Sequence, residues 1–110
     1  MEQSKPRHPG IVLKEDYMAK YDLTIEDVAL LARIAFPLLG RFLDGDFSLG
    51  YGIASRLSKV FGTTPEYWMN LQWEHDKWTL ENNPNYMAQF NEIMTVERYL
   101  EIKGGKNESN

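Results

Sequence analysis

The stretch Thr24–Gly45, TIEDVALLARIAFPLLGRFLDG, constrains the fold of this chain more than any other. Thr24 followed three residues later by Asp27 signals a helix start: a hydroxyl accepts from the first unpaired amides, and a carboxylate sits in the positive first turn. Val28, Leu31 and Ala32 then form one apolar face at helical spacing. The segment Arg33 to Ala35 interrupts that face, and Leu38, Leu39, Phe42 and Leu43 resume it before Gly45. Two short helices joined by a tight turn are the outline of a helix-turn-helix. Any small helical bundle contains such hairpins, so the flanks decide.

Upstream, Met1 to His8 reads as a polar, mobile arm whose Lys5, Arg7 and His8 either reach along a nucleic acid or, as is commoner for such residues, are simply solvated. Pro9 suits the first turn of a helix running to about Lys20, with Leu13, Tyr17 and Tyr21 on one core-facing stripe. Downstream, Ser48 is the expected cap of a helix to Phe61 with Ile53, Leu57, Val60 and Phe61 inward. Gly62 closes that helix and Thr64-Pro65 restarts the chain. The next helix, Pro65 to about Leu80, carries Trp68, Leu71, His75 and Trp78 on one stripe, with Tyr67 and Trp73 off it. Asn82 to Asn85 breaks the pattern, and Tyr86, Phe90, Ile93 and Met94 give a final helix to about Ile102. Gly104 to Asn110 has no apolar anchor and reads as disordered. No alternating stretch supports a strand, so the fold class is all-α.

At 110 residues the chain is expected to be one domain. It has no cysteine, which excludes disulfides, thiolate metal sites and cysteine nucleophiles. Its apolar runs are interrupted by Arg33 and Arg41 and are too short to span a membrane, and the N-terminus lacks a signal-peptide core, so the expected location is cytoplasmic. The formal net charge of -4 means that the whole molecule is not drawn to nucleic acid; only a local basic face could be.

His8-Pro9-Gly10, Leu23-Thr24, Ala29, Gly45, Ala54 to Leu57, Phe61 to Trp68 and Asn70-Leu71-Gln72 resemble, in this order and spacing, the HigA-type or plasmid-maintenance antidote antitoxins of the phage-repressor helix-turn-helix class. The likeness covers roughly Arg7 to Asp76, and FGTTPEYWMNLQ is its most specific segment. Joined to the reading along the chain, it implies a five-helix domain over residues 9–80 behind an arm over 1–8, with a C-terminal helical extension over 81–103 and a disordered tail over 104–110 that lie beyond the family-like core. It also implies a homodimer that binds the double-stranded operator DNA of its own operon and neutralises a cognate toxin, an mRNA-cleaving ribonuclease.

The reading helix of that class falls here on about Phe36 to Leu43. The usual turn glycine is replaced by Arg33, the usual capping position by Ala35, and the polar readers by Phe36, Pro37 and Leu38. Asp46 and Phe47 stand where Lys or Arg is frequent. Phe36 and Leu38 can touch a thymine methyl but cannot make bidentate base hydrogen bonds. Arg41 is the base reader of the helix, and Arg33, Arg56 and Lys59 are the candidate phosphate contacts. Arginines of this kind on helix surfaces are more often simply solvated.

His8 and His75 have no partners at metal-ligand spacing, and Glu74-His75-Asp76 points in different directions on a helix, so neither a metal site nor a catalytic relay is expected. His75 is expected to pack beside Leu71 and Trp78. No phosphate-binding glycine loop is present, and no cofactor or enzymatic activity is implied. The aromatic residues after Tyr67 could stack on bases, but acidic neighbours favour protein contact. The candidate partner or dimer interface is therefore Tyr67, Trp73, Trp78, Tyr86, Phe90, Ile93 and Met94. The leading expectation is a HigA-like antitoxin and regulator. The rival is a protein-binding module on the same scaffold that has lost DNA reading.

Overall fold

The computed structural model describes residues 4–108, whose regular elements are helices, with no strand among the described residues. The first helical stretch combines α1 (Pro9–Val12), a π-helical segment (Leu13–Met18) and α2 (Ala19–Tyr21). Right-handed helical dihedrals at both junctions make it one run to Tyr21. The amide of Ala19 reaches back five residues to the Lys14 carbonyl, a wider turn that helical periodicity alone does not announce. The stripe assigned to this helix is corrected at its end: Leu13 is buried, Tyr17 is half-buried against the core, and Tyr21 is exposed. Asp22 ends the run in the left-handed region at φ 55°.

α3 (Ile25–Ala32) begins with the expected Thr24 cap, which Asp27 makes reciprocal. Thr24 Oγ1 accepts from the Asp27 amide at 3.1 Å, and the Thr24 amide donates to Asp27 Oδ2 at 2.9 Å. Its inward face is Val28 and Ala32; Leu31, assigned to that face from the sequence, is instead exposed. Arg33 turns the chain at φ 58°, and α4 (Phe36–Leu43) follows with Pro37 in its first turn. Leu39, Phe42 and Leu43 are buried, whereas Leu38 is not.

α5 (Tyr51–Phe61) starts at Gly50 without a side-chain cap, so Ser48 does not play the part assigned to it. Leu57 is fully buried, with Ile53, Val60 and Phe61 packed on the core. Gly62 closes the helix at φ 69°, and Thr64 Oγ1 caps α6 (Pro65–Glu81) by accepting from the Tyr67 amide at 3.1 Å. Trp68 is wholly buried, and its indole N–H donates to Thr63 Oγ1 at 2.7 Å.

Where the sequence reads a solvated arm, the described part of it is tied down. His8 is buried, Arg7 forms ion pairs with Glu15 and Asp16 at 3.0 and 2.8 Å, and the Pro6 carbonyl accepts from His75 Nδ1 at 2.8 Å. The Arg7 guanidinium holds the Asp16 carboxyl below the usual range. Residues 1–3, assigned to the same arm, lie outside the described residues.

The chain divides into two compact units, Met1–Trp78 and Thr79–Asn110. In the second, the single helix expected to Ile102 is two, α7 (Pro84–Phe90) and α8 (Val96–Glu108). Asn83 Oδ1 caps α7 and Thr95 Oγ1 caps α8, each accepting from the amide three residues on. α8 continues through Gly104 and Gly105, where the sequence suggests disorder; residues 109–110 lie outside the described residues.

Candidate nucleic-acid interface

The helix-turn-helix is held from behind by close packing. A Cβ on Gly10 would overlap the Phe42 carbonyl oxygen and stand 2.7 Å from its carbonyl carbon, so only glycine lets α1 approach the end of α4 this closely. Beside it, the His8 ring meets the Phe42 ring edge at 5.5 Å and covers Gly45. His8 Nδ1 accepts from the Gly10 amide at 2.9 Å, which places the ring proton on Nε2, and Nε2 donates to the Phe47 carbonyl at 2.8 Å. One neutral imidazole thus caps α1 and pins the loop that leaves α4. Burial, with His75 nearby, lowers its pKa below the usual histidine value. Gln72 fixes the same loop further on, its buried Oε1 accepting from the Leu49 amide at 2.7 Å. Neither role is evident from the sequence alone; for His8, the signal is its place one residue before a Pro-Gly helix start.

α4 projects Phe36, Leu38 and Arg41 outward, the first two 48% and 40% exposed. Helical geometry cannot turn Phe36, Leu38, Leu39 and Phe42 all inward, and Phe36 and Leu38 are the two that face solvent, which corrects the place given to Leu38 on the apolar face. Arg41 lies over the Phe47 ring, 5.7 Å from its centroid.

The other three cations come together elsewhere. Arg33, Arg56 and Lys59 line one shallow depression of about 330 Å³ beside Leu31 and Val60. Arg56 donates through Nη1 to the carbonyls of Ala32 at 3.1 Å and Arg33 at 3.0 Å, so it ties down the last carbonyls of α3.

The residues assigned to a partner or dimer interface fall in both units. Tyr67 accepts a hydrogen bond from the Tyr17 hydroxyl at 2.9 Å, and burial pushes the Tyr17 phenol up to about 12. Trp73 is exposed, with the Lys77 ammonium 5.8 Å from its ring, while Trp78 is half-buried beneath Lys5. In the second unit, Tyr86 and Phe90 stack at 6.1 Å, and both are exposed, as are Ile93 and Met94. Among the described residues no group of acidic or histidine side chains could hold a metal ion, and no helix is long and apolar enough to cross a membrane.

No family model matches the chain. The uncharacterised HTH-type transcriptional regulator YbaQ of Escherichia coli K12 is 35% identical over 96 residues, covering 87% of this chain and 85% of YbaQ. An addiction module antidote protein of a HigA family from Coxiella burnetii superimposes with a TM-score of 0.69 at 31% identity, over 84% of this chain and 100% of that one. The chain belongs to the HigA-like family of helix-turn-helix transcriptional regulators. A further structure of similar fold is the Pseudomonas aeruginosa antitoxin HigA with its higBA promoter, at a TM-score of 0.72 and 25% identity over 83% of this chain and 98% of that one. This HigA-like chain keeps the fold of those proteins while α4 turns Phe36 and Leu38 to solvent.

Proposed function

We propose that this protein is a cytoplasmic, dimeric HigA-like antitoxin that binds the operator of its own operon and neutralises a partner toxin. Its architecture is a phage-repressor-type domain, from α1 to α6, with the C-terminal helices added. The observation that carries the reading is the complete helix-turn-helix frame, from the Thr24–Asp27 cap through the Arg33 corner to α4, in a chain that shares the fold of an antitoxin solved with its promoter. In this reading α4 enters the major groove, Arg41 reads a base edge, and Phe36 and Leu38 lie against thymine methyl groups. Arg33 meets a flanking phosphate, and Lys59 and Arg56 add to the positive field. The role is one of binding, with no chemistry asked of any residue.

Exposed Phe36 and Leu38 also favour a second reading, in which α4 is the anchor of a protein-binding module. Two substitutions separate the readings once circular dichroism confirms that each variant folds. For a regulator, Phe36→Gln and Leu38→Arg keep promoter binding, because they restore side chains the groove accepts. Arg41→Ala relaxes sequence preference more than Lys59→Ala does, and affinity falls steeply with salt. Absence of any promoter preference at low salt, together with partner capture lost in Phe36→Gln, establishes the module instead.

A further inference from the structure

The chain leaves α4 through a turn that carries it back over the helix end. The Gly45 amide donates to the Phe42 carbonyl and the Asp46 amide to the Arg41 carbonyl, both at 3.0 Å, with Gly45 at φ 76°. This crossed pair of bonds is the Schellman ending of a helix, in which a side chain beyond the turn commonly packs on the last turn of the helix. Here that contact is made by Phe47, whose ring lies beneath Arg41, 5.7 Å from the guanidinium carbon to the ring centroid.

Phe47 is fixed from behind. Its ring packs against that of the fully buried Phe42 at 5.8 Å, and its carbonyl accepts the His8 Nε2 proton at 2.8 Å. Two residues on, the Leu49 amide is held by Gln72. The ring is thus half-buried and part of the scaffold, while Arg41 above it stands in solvent. Asp44 and Asp46 lie on either side of Gly45, yet among the described residues neither forms an ion pair with Arg41. A carboxylate would occupy the N–H fork of the guanidinium, whereas a ring face attracts the cation and consumes none of its donors. Arg41 is therefore held in place with its hydrogen-bonding capacity intact.

We propose that Phe47 is the positioning residue for Arg41: its ring is a shelf that orients the guanidinium fork toward a guanine of the operator. A long, flexible side chain loses freedom when it binds, and a support that restricts it beforehand reduces that loss. Arg41 is the side chain of α4 that can make paired bonds to a base edge, and guanine O6 and N7 are the acceptors that match its fork. A lysine or arginine at position 47 would add to the field at the phosphates; the ring gives the position over to orientation instead. This role rests on the regulator reading above, with Arg41 as its base reader.

Gel shifts on operators carrying single base-pair changes test it, with circular dichroism confirming that each variant folds. They identify the guanine whose replacement weakens binding in the wild type and not in Arg41→Ala. Phe47→Leu keeps an apolar side chain on Phe42 but has no ring face. The penalty at that guanine should fall roughly two- to fivefold, the size of an exposed cation–π contact, with penalties at other base pairs unaltered. Phe47→Tyr should behave as the wild type. Added to Arg41→Ala, Phe47→Leu should change discrimination no further, whereas a merely structural effect on α4 would persist. NMR of the DNA-free wild type reads the contact without any substitution, because the ring current moves the Arg41 Hδ protons upfield. Ordinary Arg41 Hδ shifts, an unaltered penalty in Phe47→Leu, a loss in Phe47→Tyr equal to that in Phe47→Leu, or an effect of Phe47→Leu that survives in Arg41→Ala overturns the proposal. Any of these with promoter preference in the wild type removes the shelf alone; no promoter preference in the wild type removes the regulator reading and the shelf with it.

Discussion

His8 and Phe47, separated by 39 positions, are joined by a 2.8 Å hydrogen bond from the His8 Nε2 proton to the Phe47 carbonyl. The same ring accepts the Gly10 amide through Nδ1, so the start of the first helix and the exit of α4 share one neutral imidazole. A second proton on that ring would set an N–H against the Gly10 N–H. The groups that bear on its charge are His75, whose ring centroid lies 5.3 Å away and which opposes a positive charge, and Asp76, which favours one.

The first prediction is a pH dependence of stability. The folded-state pKa of His8 lies below its unfolded value of 6.5, so the unfolded chain binds the proton more readily. Stability is therefore complete above that unfolded value and declines as pH falls below it, through the folded pKa. Urea midpoints measured from pH 8 to pH 5 should drop on the acid side, and His8→Gln should flatten that part of the profile while lowering stability throughout.

The second concerns Gly10. Gly10→Ala forces a methyl group into the Phe42 carbonyl, and overpacking of that kind costs about 1 to 3 kcal/mol. The loss should be seen as a lower urea midpoint with an unaltered m-value. A midpoint equal to wild type would mean that α1 shifts away from α4 freely.

The third separates two roles of Arg56. Arg56→Lys keeps the charge but not the fork that reaches the carbonyls of Ala32 and Arg33, and loss of these partly exposed bonds should cost about 1 kcal/mol. If the contribution to DNA binding is only one of field, the salt dependence of promoter affinity changes little. If Arg56 grips a phosphate through its fork, affinity falls in step with stability.

The signals that the structure realises are local ones. The Thr24–Asp27 cap, the Gly62 terminus, the Thr64 restart and the Asn83–Pro84 break depend on residues within a few positions of one another, and each is present. What escaped depends on distant partners. His8 looks like a solvated arm residue until Phe47 and Gly10 are brought to it, and Arg56 looks like a free cation until the end of α3 arrives. Ser48 has the chemistry of a cap, but α5 begins beyond Gly50. Leu31 and Tyr21 follow the apolar period of their helices and still face outward, because neighbouring elements leave an opening where a core would have been. At the candidate interface, helical geometry dictates that Phe36, Leu38, Leu39 and Phe42 cannot all face inward, but which of them turn outward, and the separation of Arg41 from the other cations, depend on neighbouring elements.

Arg33 occupies the left-handed corner of the helix pair at φ 58°, a conformation that costs an L-residue about 1 to 2 kcal/mol. Glycine there would relieve the strain but would give the unfolded chain more freedom, an opposing effect of about 0.4 to 1 kcal/mol. The first effect exceeds the second by roughly 1 kcal/mol, so arginine at this corner is tolerated at a modest cost to folding. A lineage can therefore cross between arginine and glycine without passing through an unstable intermediate, gaining or losing a positive charge beside α4 at each crossing. The corner is a place where electrostatics can drift while the architecture stays still.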